Sequence, residues 1–141
     1  MRLIYPVDLQ AVDDGFAVIF PDLPEAITWG ADRAEALANA IDCLEEALAS
    51  RIKQRDDIPP PSPARGRPTA APGSLIAAKT ALYAALREDK LRPADLARAM
   101  GVNRQDVTRL LDPRHATKAA QFDAAFAALG RRTVLSVERA A

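Results

Sequence analysis

The stretch DIPPPSPARGRPTAAPGS, Asp57 to Ser74, holds six of the chain's eleven prolines between Pro59 and Pro72. It constrains the fold more than any other feature. Proline fixes φ and has no amide to donate, so neither a helix nor an internal strand runs through such a segment. It reads instead as a semi-rigid, extended boundary between two modules. The 141 residues are long enough for two small domains. We expect a first domain over 1–58, a proline-rich linker over 59–73 with room for a short edge strand near Thr69 to Ala71, and a second domain over 74–141.

Charge divides at the same place. Met1 to Ile58 carries five Lys/Arg against twelve Asp/Glu, and Pro59 to Ala141 carries fourteen against seven, although the whole chain is formally neutral. An acidic half joined to a basic half points to two surfaces with different partners. The single cysteine, Cys43, excludes an internal disulfide framework and a cysteine-based zinc site, and suits a reducing compartment. It reads as a small packing residue, because no histidine lies in the first half to activate it. No secretory signal and no membrane-length apolar run are visible, since Lys79 interrupts the longest one. The expected location is the cytoplasm. No metal site, cofactor or catalytic residue is assigned.

The first domain reads as a small sheet plus one long helix. In LIYPVDL, Leu3, Tyr5, Val7 and Leu9 alternate onto one face, and Pro6 puts this strand at an edge or at a bulge. Asp13-Asp14-Gly15 is a hairpin signal. FAVIF then places Phe16, Val18 and Phe20 on one face, PDLP is a rigid turn, and a short strand follows near Ala26 to Trp29. Asp32 and Glu35 have capping-box spacing. Leu37, Ile41, Leu44, Leu48 and Ile52 form the expected inner stripe of the helix, flanked by Ala36, Ala40, Cys43 and Ala47. That small flank suits sheet packing first and a second subunit's backbone second.

The second domain reads as four helices: Leu75 to Asp89, with Leu75, Leu82 and Leu86 inward; one starting at Pro93 and ending at Gly101; one from about Asn103 to Leu111; and one capped at Thr117 that buries Phe122, Phe126 and Leu129. The segment PADLARAMGVNRQDVTRL, Pro93 to Leu110, has the sizes a helix-turn-helix requires. Ala97 is small where two helices touch, and Gly101 sits where φ turns positive. Leu96, Met100, Val102, Val107 and Leu110 supply the apolar positions. The second helix then faces outward with Asn103, Arg104, Gln105, Thr108 and Arg109, side chains suited to base edges in a major groove. Arg114, His115 and Lys118 follow as phosphate contacts. One such module reads a short half-site, which favours a dimer on an inverted repeat. The last segment, RTVLSVER from Arg132 to Arg139, reads as a lone strand, and a bare strand edge favours pairing with a second copy.

The Tyr-Pro first strand followed by DDGFAVIFPDLPEAITWGADRAEALANAIDCLEEAL (Asp13 to Leu48) resembles the HicB-type antitoxin family. The resemblance continues through AAKTALYAAL (Ala77 to Leu86), the helix-turn-helix and DPRHATK (Asp112 to Lys118). Glu25 stands where many members have glycine, and Ala31 to Arg33 replaces a commoner threonine-bearing cap. The resemblance implies an α+β chain: a reduced RNase H-like domain, then an all-α helix-turn-helix domain with a C-terminal strand. It also implies an antitoxin that neutralises a HicA-like mRNA-cleaving toxin and represses its own operon, as a homodimer or higher homo-oligomer. Asp13, Asp14, Asp22 and Glu25 are then the candidate charges toward a basic toxin, with Phe20, Leu23 and Trp29 as apolar anchors.

Two other readings remain open from sequence. Asp8, Asp42 and Glu46 raise metal-dependent nucleic-acid cleavage, which needs carboxylates converging on ions about 4 Å apart, and no spacing here forces that. A stand-alone transcription regulator with an N-terminal ligand-sensing domain is the other, although no glycine-rich phosphate loop or charged ligand cluster supports it.

Overall fold

The computed structural model describes residues 1–140. It is a mixed α+β chain in two compact units, Met1–Ala77 and the residues from Ala78 onward.

In the first unit, β1 (Tyr5–Pro6) and β2 (Asp8–Val12) are two pieces of the anticipated first strand, interrupted at Val7. Leu3, Tyr5 and Val7 are buried together as the alternation required. The turn at Asp13 and Asp14 leads into β3 (Gly15–Ile19), and β4 (Ile27–Gly30) completes an antiparallel sheet in the order β2-β3-β4. The PDLP turn between them is closed by Leu23 N–H to the Phe20 carbonyl (3.1 Å) and Ala26 N–H to the Leu23 carbonyl (2.8 Å). Helix α1 (Arg33–Gln54) begins where Asp32 Oδ1 accepts the Glu35 amide at 2.8 Å. The Glu35 carboxylate reaches back to the Ala31 amide (2.9 Å), one residue further than a standard capping box.

The inner face of α1 differs from the expected stripe. Ala36, Ala40, Leu44, Ala47, Leu48 and Ile52 are buried, whereas Leu37 is half-buried and Ile41 is 41% exposed. The cause is the closeness of helix and sheet. A Cβ on Gly30 would lie 2.2 Å from the Ala36 amide nitrogen and 2.5 Å from its Cα. Only small residues fit there, so the alanine flank faces the sheet. Cys43 lies beside this core, half-buried, and burial pushes its thiol pKa up, away from the reactive thiolate.

The proline-rich segment is strapped to the first unit. Tyr5 OH donates to the Pro59 carbonyl (2.7 Å), Arg51 Nη1 to the Asp57 carbonyl (2.8 Å), and the Val7 amide to the Pro68 carbonyl (2.9 Å). Ser62 donates its amide (2.8 Å) and its hydroxyl to the Asp22 carboxylate. Strand β5 (Thr69–Ala70) pairs antiparallel with β1. Burial, with a further push from Asp22, raises the Tyr5 pKa to about 12, so this hydroxyl stays a donor. The division between units therefore falls after the segment, inside α2 (Ser74–Glu88).

In the second unit, α2 is followed by α3 (Pro93–Met100), α4 (Arg104–Leu111) and α5 (Ala119–Ala128). Leu82, Leu86, Leu96, Ala97, Val107, Leu110, Phe122 and Phe126 form its buried centre. Gly101 ends α3 with φ 70°, and the amides of Gly101 and Val102 close the helix onto the Arg98 and Ala97 carbonyls. Two expectations fail locally. Val102 lies at the surface, because it follows that left-handed turn. Thr117 does not cap α5; its hydroxyl is taken by Lys79, and the residue preceding the helix is Lys118. Residues 131–140 carry no helix or strand, so Arg132 to Arg139 has no strand partner within the described residues.

Candidate functional site

Two surfaces collect the chemically capable side chains, one in each unit.

The first is the sheet face turned away from α1. Gly30 faces the helix, and the register pairs Phe16 with Gly30 and Val18 with Thr28 on that inner side. Period-2 alternation then puts Ala17 beside Trp29 and Ile19 beside Ile27 on the outer side, joined by Asp8, Gln10 and Val12 of β2. The β3–β4 part of this face is apolar and exposes large side chains: Ile27 is 62% and Trp29 42% exposed. The Trp29 indole lies over Gly15, where a side chain would meet ring atoms at 2.8 Å. The sheet edge is held from behind by Asn39 Nδ2 donating to the Trp29 carbonyl (2.8 Å). Since Gly15 directly follows the exposed turn at Asp13 and Asp14, the hairpin brings an aromatic ring and two carboxylates to one corner.

The remaining residues singled out in this unit lie elsewhere. Phe20 and Leu23 are wholly buried in the core and offer no atoms to a partner. Asp22 holds the proline-rich segment through Ser62. Glu25 binds Arg51 bidentately, Nε to Oε2 at 2.6 Å and Nη2 to Oε1 at 2.9 Å. Arg51's hydrogen bonds hold the Glu25 carboxyl below the ordinary range. Both acids thus have structural work. Asp8 lies on the outer sheet face and contacts Arg67 at 3.4 Å, whereas Asp42 and Glu46 lie on α1 on the other side of the sheet. Among the described residues no three His, Cys, Asp or Glu side chains gather in a way that holds a metal ion.

The second surface is the solvent side of α4. Asn103 caps it, its Oδ1 accepting the Asp106 amide at 2.8 Å. Val107 and Leu110 are buried, so Arg104, Gln105, Thr108 and Arg109 are turned outward together, all exposed. Thr108 donates its hydroxyl back to the Arg104 carbonyl (3.0 Å). Arg109 is only loosely tethered, 3.7 Å from Asp106. Arg114, His115 and Lys118 follow, exposed, in the connection to α5. The Asp112 carboxylate shapes this connection by accepting the Arg114 amide (2.9 Å).

The end of α4 is held by a residue that stands in the sequence as a lone charge within an apolar run. Lys79 is fully buried. Its ammonium donates to the Arg109 carbonyl (2.7 Å) and to Thr117 Oγ1 (2.6 Å), and lies 5.4 Å from the centre of the Phe122 ring. The Arg109 carbonyl is one of the last four of α4 and otherwise accepts only the C-cap amide of Asp112 (3.2 Å), and a cation there also meets the negative end of the helix dipole. Burial depresses the Lys79 pKa, with Asp112 opposing. The signal was present: Leu75, Lys79, Leu82 and Leu86 fall at i, i+4, i+7 and i+11, which puts the lysine on the inner face.

No described helix is long and apolar enough to cross a membrane. The family described as "HicB-like antitoxin of bacterial toxin-antitoxin system" matches residues 4–70. Among curated proteins, the chain is 39% identical over 135 residues to "Antitoxin HicB 1" of Photorhabdus laumondii subsp. laumondii, covering 95% of this chain and 86% of that one. It is 36% identical over 133 residues to "Antitoxin HicB" of Escherichia coli strain K12, covering 93% and 96%. It is 38% identical over 121 residues to "Antitoxin HicB" of Pseudomonas fluorescens strain Pf0-1, covering 84% and 83%.

Proposed function

Because this chain belongs to the HicB-like antitoxin family, we propose that it is the antitoxin of a type II toxin–antitoxin pair. In this reading its first unit neutralises a HicA-like, mRNA-cleaving toxin, and its second represses the operon that encodes both. The first unit is then a reduced RNase H-like domain, and α3 with α4 is a helix-turn-helix on operator DNA. The chain acts by binding, not by catalysis, in the cytoplasm, as a homodimer or larger assembly on an inverted repeat.

One observation carries the reading: the partition of charge follows the two units. Met1–Ala77 has twelve acidic against seven basic residues, and the residues from Ala78 onward have twelve basic against seven acidic. A cationic nuclease and an anionic duplex are attracted to opposite ends of such a chain. The side chains that would meet the toxin are Asp13, Asp14 and Trp29, with Ile27 beside them. Asp22, Glu25, Phe20 and Leu23 support that surface from within the unit. On the duplex, Arg104, Gln105 and Arg109 would read base edges, while Arg114, His115 and Lys118 would bind phosphates. Asn103 and Thr108 are tied up locally and would position the helix start and contact a thymine methyl.

The test is co-expression from the native operon with tagged Arg104→Ala/Arg109→Ala and Trp29→Ala/Asp13→Asn variants. The first should lose operator discrimination and still co-purify with a small basic protein. The second should do the reverse. Loss of both functions in either still-folded variant would overturn the two-surface reading, and so would a chain that always purifies alone.

A further inference from the structure

The loop after α4 is tied to that helix by a closed ring of hydrogen bonds, and the ring closes through a side chain of α2. Lys79 Nζ donates to the Arg109 carbonyl (2.7 Å) and to Thr117 Oγ1 (2.6 Å). The Thr117 hydroxyl donates in turn to the His115 carbonyl (3.4 Å). The His115 amide donates to the Asp112 carbonyl (3.1 Å), and the Asp112 amide returns to the Arg109 carbonyl (3.2 Å). Every group acts in a sense open to it: the ammonium only donates, the hydroxyl accepts once and donates once, and the carbonyls only accept.

This ring spans the junction between two kinds of exposed side chain. Arg109, at one corner, belongs to the outward set of α4, while Arg114, His115 and Lys118 stand on the loop that the ring holds. Phosphate contacts set the register of a protein on a duplex and base contacts read it, so the spacing between the two sets decides how many form together. Packing alone does not call for a lysine here. A fully buried ammonium is costly, and an apolar residue would fill the space against Phe122. What an apolar residue lacks is the means to hold two acceptors from separate backbone segments at a set distance.

We infer that Lys79 and Thr117 are positioning residues of the operator site: they fix the base-reading end of α4 relative to the phosphate-contacting loop and touch no DNA themselves. This deepens the operator reading given above and rests on it. Thr117→Val is the sharper variant, because it breaks the ring without altering any charge. Wild type and variants, as full chains, are titrated by fluorescence anisotropy over a series of KCl concentrations. The probes are a duplex carrying the promoter of the chain's own operon and a scrambled duplex of equal length and composition. Thr117→Val should bind the promoter duplex about tenfold or more weakly and the scrambled duplex within about twofold of wild type, since the charges that govern that binding are kept. The slope of log affinity against log salt on the promoter duplex should flatten by about one, the loss of one phosphate contact. Thr117→Ser restores the hydroxyl and should regain the wild-type preference. Lys79→Met should shift preference in the same direction as Thr117→Val. Equal weakening on both duplexes with an unchanged slope is what a merely structural role gives, and it overturns the inference. Wild-type discrimination by Thr117→Val, or no recovery with serine, does the same. A wild-type chain that does not distinguish the two duplexes removes the operator reading itself, and this inference falls with it.

Discussion

Replacing Lys79 by methionine removes a buried ammonium and keeps most of its volume. The wild-type ammonium makes two short hydrogen bonds, to the Arg109 carbonyl at 2.7 Å and to Thr117 Oγ1 at 2.6 Å, and a cation–π contact with Phe122 at 5.4 Å. Hydrogen bonds to a charged group contribute about 1.5–3 kcal/mol each and a desolvated cation–π contact about 1–2 kcal/mol. Against them stands the desolvation of a fully buried cation, several kcal/mol. The depressed pKa of Lys79 points the same way, since burial is its leading cause. Methionine removes both sides of this balance but leaves the Arg109 carbonyl with only the Asp112 amide (3.2 Å) and the Thr117 hydroxyl without its donor. The expected net loss is about 1–3 kcal/mol, confined to the second unit.

The assay is amide hydrogen exchange read by mass spectrometry on the full chain. Protection in α4 and in the connection to α5 should fall by about fivefold to a hundredfold, at about 1.4 kcal/mol per factor of ten, while α1 is unchanged. A pH arm sharpens the test. A lysine whose folded pKa lies below its unfolded value binds fewer protons when folded, so stability rises with pH between those two values. Wild type should gain stability across that alkaline window, and Lys79→Met should lose that gain. If α4 keeps its protection in the variant, Lys79 is a tolerated defect and not the brace of this helix.

Three shorter expectations follow from other contacts. Gly30→Ala forces a methyl group onto the Ala36 backbone, which neither helix nor strand can move away from cheaply; a loss of about 1–3 kcal/mol is expected by thermal or urea denaturation. Arg51→Ala removes the partner that holds Glu25 below the ordinary carboxylate range. That contribution is present above the unfolded carboxylate pKa and disappears as pH falls through the depressed folded one. The wild-type advantage over the variant should therefore shrink in acid, by less than about 1 kcal/mol for so exposed a pair, in urea titrations from pH 7 down to 3. Asp22→Ala releases Ser62 and with it the proline-rich segment, so tryptic cleavage after Arg65 should quicken while α1 stays protected from exchange.

Much of the fold was legible because it rests on local chemistry. The Asp-Asp-Gly turn, the Asp32 cap, Pro93 at a helix start and Gly101 in the left-handed region each follow from a few neighbouring residues. The failures share a different cause. The inner face of α1 departs from its leucine stripe because Gly30, only six residues before Ala36, brings the strand so close that alanines and not Leu37 and Ile41 face the sheet, a packing distance that no local pattern marks. The proline-rich segment read as a spacer because its partners, Tyr5, Val7, Asp22 and Arg51, lie earlier in the chain and carry no local mark. On α4 the outward set was readable from periodicity, yet Lys79, Thr117 and Phe122, which hold its end, converge from three elements.

The strapped segment also changes where the negative charge of the first unit can act. Counted along the chain, Arg65 and Arg67 belong with the basic half; in space they belong to the acidic unit. Arg67 sits 3.4 Å from Asp8 and so offsets the carboxylate at one end of the outer sheet face. Arg51 does the same for Glu25. Asp22 is spent on Ser62. Of the four acids that mark this surface in the sequence, the two left with no side-chain cation or hydroxyl described against them are Asp13 and Asp14, at the hairpin tip beside Trp29. Pairing within the unit thereby narrows a diffuse acidic half to one corner where charge and exposed aromatic area coincide. Such a corner can both draw a cationic partner in and bury apolar surface once it arrives.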